Sequence, residues 1–184
     1  ARGLDLMAFH GVNPRTGLAS AVIGDNNFDT AVDQAVEAPL GMEDANGAIE
    51  TAIAMVDGGD ITGMAIAPSL RSALAKQTRT DGTPLFPELA WGNAPGAING
   101  LPTEVNKTVS DMAEDARAYV GDFENGFKWG YAKHIPMKVI EYGDPDTSGN
   151  DLQGYNQVYI RAEAYLGWGV LAPEAFARIT EATV

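Results

Sequence analysis

Hydrophobic residues in the first half of the chain recur at helical spacing between turn-forming residues. This spacing predicts helices over 28–38, 43–56 and 68–76, the last of them opened by Pro68, because proline is favoured at the first position of a helix. An uncharged run over 61–67 has the length of a buried strand. Helix, strand and helix in close succession indicate a compact α/β lobe. The shorter elements predicted in this part of the chain are a helix end and tight loop over 4–17, a strand over 21–23, an extended segment over 97–109 and an acidic helix over 110–116.

In the second half, apolar and polar residues alternate, which is the pattern of β-strands. The clearest example is a long strand over 155–171, whose even positions are apolar. Asn125-Gly126 lies between the runs 117–123 and 127–135 and predicts a hairpin turn that joins them. A proline predicts the start of a final helix over 173–179. Helices first and antiparallel strands later indicate an α+β fold.

The composition is that of a folded, acidic protein. The chain has 184 residues, of which 45% are hydrophobic and 20% are charged, and this is enough for one domain or two modest lobes. Twelve Lys and Arg against 25 Asp and Glu give a formal net charge of −13, which disfavours non-specific binding to nucleic acid or to anionic membranes. Because the chain has no Cys, disulfides, thiolate metal sites and cysteine nucleophiles are excluded.

The sequence carries no targeting or membrane signal. No run approaches the roughly 20 apolar residues that cross a bilayer, and no basic start followed by an apolar stretch marks a signal peptide. The chain begins Ala1-Arg2-Gly3 without an initiator Met, and we expect it to be a shortened or processed piece of a longer protein.

Candidate catalytic and cofactor motifs are incomplete. Residues 167–172 have the Gly-x-Gly-x-x-Ala spacing of a dinucleotide fingerprint, but the chain ends at Val184, before the acidic residue expected about 20 positions later. No phosphate-binding Gly-x-x-x-x-Gly-Lys-Ser/Thr motif is present, and none of the serines lies in Gly-x-Ser-x-Gly. His10 and His134 are the available imidazole bases. We expect no catalytic residue and no cofactor-binding residue.

Two acidic segments have some features of a metal site. Asp144 to Gly149 resembles the opening of a calcium loop, but Tyr155 occupies the position of the bidentate Glu, so a solvated turn is favoured and a calcium loop is the alternative. The segment 57–60, Asp-Gly-Gly-Asp, is better interpreted as a helix stop than as a ligand set. We therefore expect no metal site.

The order of several short segments resembles the major capsid proteins of tailed bacteriophages, whose shell fold is shared with encapsulin nanocompartments. Four parts of that fold are represented, in order. They are the stretch after the long spine helix, the strand–proline–helix–turn of the axial domain, the following Gly-Leu-Pro strand, and the closing strands with the element that a proline starts. The segments that carry this resemblance are Asp5–Gly17, Met64–Pro68, Asp81–Phe86, Ile98–Val105, Val120–Phe123, Tyr155–Glu163 and Val170–Phe176. They extend over almost the whole chain, although the family's N-terminal arm and extended loop have no counterpart here.

The resemblance implies a subunit of two lobes and a structural role. Residues 25–114 and 166–184 would form an axial α/β lobe, and residues 1–24 and 115–165 a peripheral lobe with a long strand and hairpin. Such subunits would assemble as pentamers and hexamers of an icosahedral virion shell, first in the host cytoplasm. The implied partners are further copies of the chain, scaffold and portal proteins, and packaged double-stranded DNA held without sequence-specific contact, with no membrane and no enzymatic activity. Some relatives crosslink Lys to Asn between subunits, but the Lys comes from the extended loop, so no crosslinking residue is assigned.

Two other functions are alternatives to a virion coat. An encapsulin-like shell would enclose protein cargo in place of DNA. A small α/β enzyme or binding module would use an acidic cleft, built from Asp144, Asp146 and Asp151 or from the two histidines. Under the capsid interpretation, the net charge of −13 predicts an acidic inner wall, because a basic wall would retain DNA through counterion release.

Overall fold

The computed structural model describes residues 2–39, 41, 43–57, 59–90, 96–111 and 115–182, with 133–136 described by their backbone alone. The chain forms two units. Unit 1 comprises Ala1–Lys128 and Gly169–Val184, and unit 2 comprises Trp129–Trp168. Among the described residues, no helix combines the length and the apolar character that crossing a membrane would need.

Helices and strands alternate along the described chain. The helices are α1 (Arg2–His10), α2 (Phe28–Ala31), α3 (Ala45–Met55) and α4 (Pro68–Lys76). The strands are β1 (Ala35–Ala38), β2 (Gly63–Ile66), β3 (Gly96–Ile98), β4 (Leu101–Val105), β5 (Ala116–Gly121), β6 (Phe127–Ile140), β7 (Tyr159–Val170) and β8 (Phe176–Glu181). Single turns of 3-10 helix lie at Pro87–Leu89, Lys107–Ser110 and Pro173–Ala175.

Unit 1 is built on a six-stranded mixed sheet with the strand order β1-β8-β5-β2-β4-β3. The pairs β1–β8 and β2–β4 are parallel, and the remaining neighbours are antiparallel. The inner strand β2 is buried along its whole length. Because both of its faces are covered, its sequence is a continuous apolar run without polar alternation.

Alternate side chains of the sheet enter two separate cores. On one face, residues such as Ile66 and Val120 pack with Leu70 of α4 and Ala52 of α3. On the other face, Tyr119 and its neighbours pack in a second core with Phe28 and Val32 of the α2 segment. Helices therefore cover one face of the sheet, and an aromatic cluster covers the other.

The sequence predictions for the helical half are largely confirmed. The helix α4 begins at Pro68 as predicted, with Leu70 and Leu74 fully buried four residues apart on one face. The helix α3 lies within the predicted 43–56 and begins with the Asp44 side chain accepting a hydrogen bond from the Gly47 amide at 3.1 Å. The predicted buried strand over 61–67 is β2.

Two helix predictions are wrong because tertiary pairing overrides the local pattern. The helix predicted over 28–38 ends at Ala31, and Ala35–Ala38 is instead strand β1, which pairs with β8. The final helix predicted over 173–179 is one 3-10 turn followed by β8. Because β8 lies between β1 and β5, its apolar side chains face both cores, which a surface helix cannot achieve.

The strand and turn predictions have mixed outcomes. The long strand predicted over 155–171 is confirmed as β7, but β5 and β6 do not form the predicted hairpin, because β5 belongs to the six-stranded sheet and β6 pairs with β7. Residues 21–23 form turns and no strand. The prediction of an acidic helix over 110–116 is wrong at both ends, because a 3-10 turn ends at Ser110 and β5 starts at Ala116. Residues 112–114 lie outside the described residues.

Candidate interaction surface and the junction that precedes it

The two-stranded sheet of β6 and β7 presents large apolar side chains to solvent. On β6, Trp129, Tyr131, Met137 and Val139 share one face of the strand by their odd numbering, and each is more than half exposed. Trp129 and Tyr131 form an edge-to-face pair with ring centroids 5.4 Å apart. On β7, Ile160 and Tyr165 are also more than half exposed. We call this surface the ribbon surface, defined by the exposed apolar residues of β6 and β7.

The ribbon surface is unusual for a protein that acts alone. Among the described residues of unit 2, Leu152 is the buried hydrophobic residue, and it lies in the loop and not on the strands. A two-stranded sheet is marginally stable in water when no third layer covers it. Contiguous exposed apolar side chains on a folded protein mark an interaction site. The ribbon surface is therefore the candidate functional site of the chain.

The loop between β6 and β7 is ordered by its own aspartates. Asp144 accepts hydrogen bonds from the amides of Ser148 at 3.0 Å and Gly149 at 2.7 Å. These bonds, led by the one from Gly149, hold the pKa of the Asp144 carboxyl below its ordinary value. Asp151 accepts hydrogen bonds from the amides of Gly143 and Gly154, each at 3.0 Å. The loop over 144–154 is thus a turn held by its own hydrogen bonds. Among the described residues, no group of three or more acidic or imidazole side chains is placed to hold a metal ion.

A tight turn over 122–126 carries the chain from β5 toward β6. Asp122 is buried, and its carboxylate accepts hydrogen bonds from the amides of Glu124 at 3.1 Å and Asn125 at 3.0 Å and from the Asn125 side chain at 3.0 Å. The bond from the Asn125 side chain is the main reason that the pKa of Asp122 lies below its ordinary value. The carbonyl oxygen of Gly126 accepts a hydrogen bond from the Leu171 amide at 2.7 Å, just after β7 ends. The start of β6 and the end of β7 are therefore held together at this turn, which we call the junction.

The junction rests on β8 through close backbone contact. The Asp122 amide donates to the carbonyl oxygen of Ala175 at 3.0 Å. A Cβ placed on Gly121 would lie 2.2 Å from that same oxygen, so a side chain at this position requires the backbone to move. Glycine at 121 is what allows β5 to approach the 3-10 turn before β8.

An aromatic cluster packs beneath the junction and joins it to α1 and α2. Its members are buried or partly buried rings of the second core: Phe9, Phe28, Tyr119, Phe123, Phe127 and Phe176. Phe28 is central, with the ring of Phe176 edge-on at 5.0 Å and the ring of Phe127 at 5.3 Å. Contacts of this kind stabilise a fold beyond the area that they bury. The first residue of β6, Phe127, is thus held within unit 1 by packing, and Gly126 before it by a hydrogen bond.

The remaining candidates from the sequence do not assemble into a catalytic site in the described residues. The Gly-x-Gly-x-x-Ala segment lies at the end of β7 and leads to a 3-10 turn and β8, with no helix to receive a phosphate. His10 is buried in unit 1, and the side chain of His134 lies outside the described residues. In the segment 57–60, residue 58 is also outside the described residues, and the Asp57 amide donates to the Glu174 carbonyl oxygen at 3.1 Å.

An open cleft of about 820 Å³ beside α3 and α4 contains a few charged groups. Glu43, Asp44 and Lys76 line it. The Asp44 carboxylate already caps α3, so its role there is structural. The described lining of this cleft includes none of Asp144, Asp146, Asp151 and His10, the groups named for the acidic-cleft alternative.

Comparison with known proteins finds a matching family model and similar solved structures. The model of the Phage capsid family matches residues 1–180. A chain in a solved structure from Mycobacterium phage Ogopogo is 36% identical with a TM-score of 0.84, and the match covers 98% of this chain and 63% of that one. A chain from Gordonia phage Cozz is 30% identical with a TM-score of 0.82, covering 100% of this chain and 60% of that one.

More distant structures show likeness of fold alone. One is described as "Capsid of empty GTA particle computed with C5 symmetry"; it is 21% identical with a TM-score of 0.51, and the match covers 73% of this chain and 44% of that one. No curated protein matches the chain. The chain spans about three fifths of the length of the first two relatives.

Proposed function

The chain belongs to the phage capsid family, and from this premise we propose that it is a structural subunit of an icosahedral virion shell. The α+β fold inferred from the sequence and its likeness to capsid proteins are confirmed by the structural matches. The proposed role is mechanical: the subunit encloses and binds, and carries out no chemistry.

The ribbon surface is the observation that carries the proposal. Side chains such as Trp129 and Tyr165 are more than half exposed on a two-stranded sheet for which the described residues of unit 2 supply no covering layer. Burying such side chains stabilises by about 1.5–3 kcal/mol each, so a partner surface is needed to recover this free energy. Further copies of the chain, repeated around a shell, supply such a surface many times over.

Ring geometry decides what kind of contact this is. Pentamers and hexamers are closed by heterologous interfaces, in which one face of a subunit meets a different face of its neighbour. We therefore propose that the ribbon surface meets a surface of another subunit that differs from itself. The proposed placement of the subunit within such rings takes residues 25–114 and 166–184 as axial and residues 1–24 and 115–165 as peripheral, with β5 of the second set paired into the sheet of the first.

The charge of the chain bears on what the shell contains. A net charge of −13 gives little attraction for a phosphate backbone. We propose that the shell packages double-stranded DNA without sequence-specific contacts and has an acidic inner wall, with scaffold and portal proteins as assembly partners. The subunit would then be in the host cytoplasm during assembly and in the virion capsid afterwards.

Electron microscopy of the protein expressed from its complete gene tests the proposal. Closed shells or rings of five and six subunits are the expected result, and a protein that stays monomeric at every concentration would contradict it. Particles purified from infected or induced cells are then extracted for nucleic acid. Recovery of DNA supports the virion coat, whereas a protein cargo without DNA supports the encapsulin-like alternative.

A further inference from the structure

The side chain of His10 is held between two hydrogen-bond acceptors inside unit 1. His10 is the last residue of α1, and its side chain is 1% exposed. Its Nδ1 lies 2.6 Å from Oδ2 of Asp29, in α2, and its Nε2 lies 2.5 Å from the carbonyl oxygen of Thr108, in the 3-10 turn before β5. One imidazole therefore connects the end of α1 to two other segments of unit 1.

Both contacts can be hydrogen bonds only when the imidazole is doubly protonated. A neutral imidazole has one N–H and one lone pair, whereas the imidazolium has two N–H donors. A carboxylate and a carbonyl oxygen are acceptors, so a neutral His10 would face one of them with a lone pair at 2.5–2.6 Å. A buried acceptor that loses its donor costs roughly as much as its desolvation. The arrangement therefore selects the charged form.

The groups around His10 act in opposite directions: the Asp29 carboxylate favours the imidazolium, and the other partners of Asp29 weaken that effect. Asp29 also accepts a hydrogen bond from the Tyr119 hydroxyl of β5, and its Oδ1 lies 3.9 Å from Nη1 of Arg178 of β8. We call His10, Asp29, Thr108, Tyr119 and Arg178 the His10 cluster. Burial lowers the pKa of His10, but the hydrogen bonds to Asp29 and Thr108 and the nearby negative charge outweigh it, so the pKa lies above 6.5.

One further carboxylate acts on His10 from the segment after Thr108. Asp111 adds negative charge that favours the imidazolium. It is itself paired with Arg2 at 2.6 Å and lies 3.9 Å from Lys107. These two cations are largely exposed, and they offset part of the negative charge of Asp111. Asp29, which contacts the imidazole directly, is therefore the principal counter-ion of His10.

We propose that His10 is a proton-dependent switch: as an imidazolium it holds the C-terminal end of α1 against the segments of Asp29 and Thr108, and as a neutral imidazole it releases that end. Other contacts of α1 with the rest of unit 1 would have to break when its end is released. Phe9 stacks on the Tyr119 ring at 5.3 Å, and the Asp5 carboxylate accepts a hydrogen bond from the Asn106 side chain at 3.0 Å. The proposal concerns the single subunit and does not depend on shell assembly.

The direction of the pH effect follows from linkage. In the open state the imidazole meets water and has an ordinary pKa near 6.5, and in the closed state its pKa is higher. The protonated imidazole therefore makes its full contribution to the free energy of the closed state below about pH 6.5, and this contribution is lost as the pH rises through the closed-state pKa. Across that window the open population grows by up to about tenfold per pH unit, and beyond it the effect levels off.

Nuclear magnetic resonance on the protein tests the proposal directly. The chain has two histidines, so the imidazole signals of His10 and His134 are readily distinguished. At about pH 6.5 we expect both ring nitrogens of His10 to carry a slowly exchanging proton. The hydrogen-exchange protection of the Gly11 amide, which donates to Met7 at the end of α1, should then fall with rising pH relative to the Ile66 amide in the core.

A pair of matched variants separates the switch from a general loss of stability. Asp29→Asn removes the counter-ion and should move the loss of α1 protection to lower pH. Tyr119→Phe removes the hydrogen bond from Tyr119 to Asp29 but leaves the carboxylate of Asp29. The pH at which α1 loses its protection should therefore stay the same or rise. A single protonated ring nitrogen on His10 at about pH 6.5 would overturn the proposal, as would protection of Gly11 relative to Ile66 that does not change as the imidazole titrates. Both of these measurements are made on the unmodified chain, so they decide the matter even where a variant fails to fold.

Discussion

Gly126 lies directly against the ring of Phe176, with no room for a side chain between them. A Cβ built on Gly126 would be 2.7 Å from Cε2 of Phe176 and 2.8 Å from the Asp122 carbonyl oxygen. The residue before β6 and the first residue of β8 are thus in contact, although 50 positions separate their numbers. This contact holds Gly126, just before β6, against β8 within unit 1.

The first prediction concerns this contact. Gly126→Ala should destabilise the protein by about 1–3 kcal/mol, because the added methyl group forces the ring of Phe176 or the backbone of Asp122 to move. Denaturant unfolding followed by circular dichroism measures the change. Gly130→Ala, in β6 with open space around its Cβ position, is the matched control and should be nearly neutral. Equal effects of the two substitutions would show that the contact at Gly126 is not tight.

The second prediction concerns the turn that Asp122 organises. Asp122→Asn should lower the midpoint of thermal unfolding, because the introduced amide N–H₂ would face amide donors that now meet a carboxylate. The pKa of Asp122 is depressed, so its contribution is present above about pH 3.8 and is lost as the pH falls through the lower folded-state value. Thermal unfolding between neutral and acidic pH should therefore show a larger difference between the two proteins at neutral pH. Asp25→Asn, at an exposed site, is the matched control and should leave the midpoint at neutral pH unchanged.

The third prediction concerns an ion pair between the last strand and β5. The Glu181 carboxylate accepts a hydrogen bond from Nε of Arg117 at 2.8 Å and another from the Gly41 amide at 2.8 Å. Burial raises the pKa of Glu181, but these bonds outweigh burial, so the pKa lies below 4.5. The pair should therefore stabilise the protein above about pH 4.5 and cease to do so as the pH falls through the folded-state value.

Glu181→Gln tests that expectation. Loss of the charge should cost about 0.5–1 kcal/mol at neutral pH, since the pair is partly exposed and solvent screens it. The difference should shrink in acid, as measured by denaturant midpoints at several pH values. Glu50→Gln on the exposed side of α3 provides the control. A difference that stays constant from neutral to acidic pH would rule out the ion pair as its source.

The fourth prediction concerns the ribbon surface. Trp129→Ser should leave the stability of the isolated subunit within about 0.5 kcal/mol, because the indole is 61% exposed. The same substitution should sharply reduce the yield of assembled particles, since tryptophans at the centre of an interface carry much of its binding free energy. Sedimentation and electron microscopy measure the yield.

Leu18→Ser is the control for that experiment. Leu18 is similarly exposed, at 69%, but lies in a loop of unit 1 and not on the ribbon. We expect this variant to assemble as the unmodified protein does. If Trp129→Ser assembled equally well, Trp129 would not belong to the contact surface.

Local patterns predicted the elements whose signals lie within one short segment. Helix α4 has a proline at its start and two leucines four residues apart, and β2 is an apolar run of strand length, so both could be located from the sequence. Strand β7 was likewise evident from its alternation, although both of its faces have exposed residues. Alternation reports the pleat of the strand, and it does not report what will cover each face.

Partners that are distant in the sequence could not be predicted in this way. Nothing local distinguishes Phe176–Glu181 from a helix, since Pro173 begins helices and 3-10 turns alike, and only its position between β1 and β5 makes it a strand. The contact of His10 with Asp29 and Thr108 joins residues 19 and 98 positions apart. No spacing rule encodes such a pairing.

Composition and local pattern are sufficient to identify an acidic, cysteine-free α+β chain with segments that resemble, in their order, those of capsid proteins. Composition and short-range periodicity are properties of neighbouring residues, and they survive in any fold that the chain adopts. The tertiary structure decided that β5 and β6 enter different sheets, that Asp122 and Gly126 form the junction, and that His10 is buried against a carboxylate. These outcomes depend on which surfaces pack together, and that choice is made by the burial of the whole chain at once.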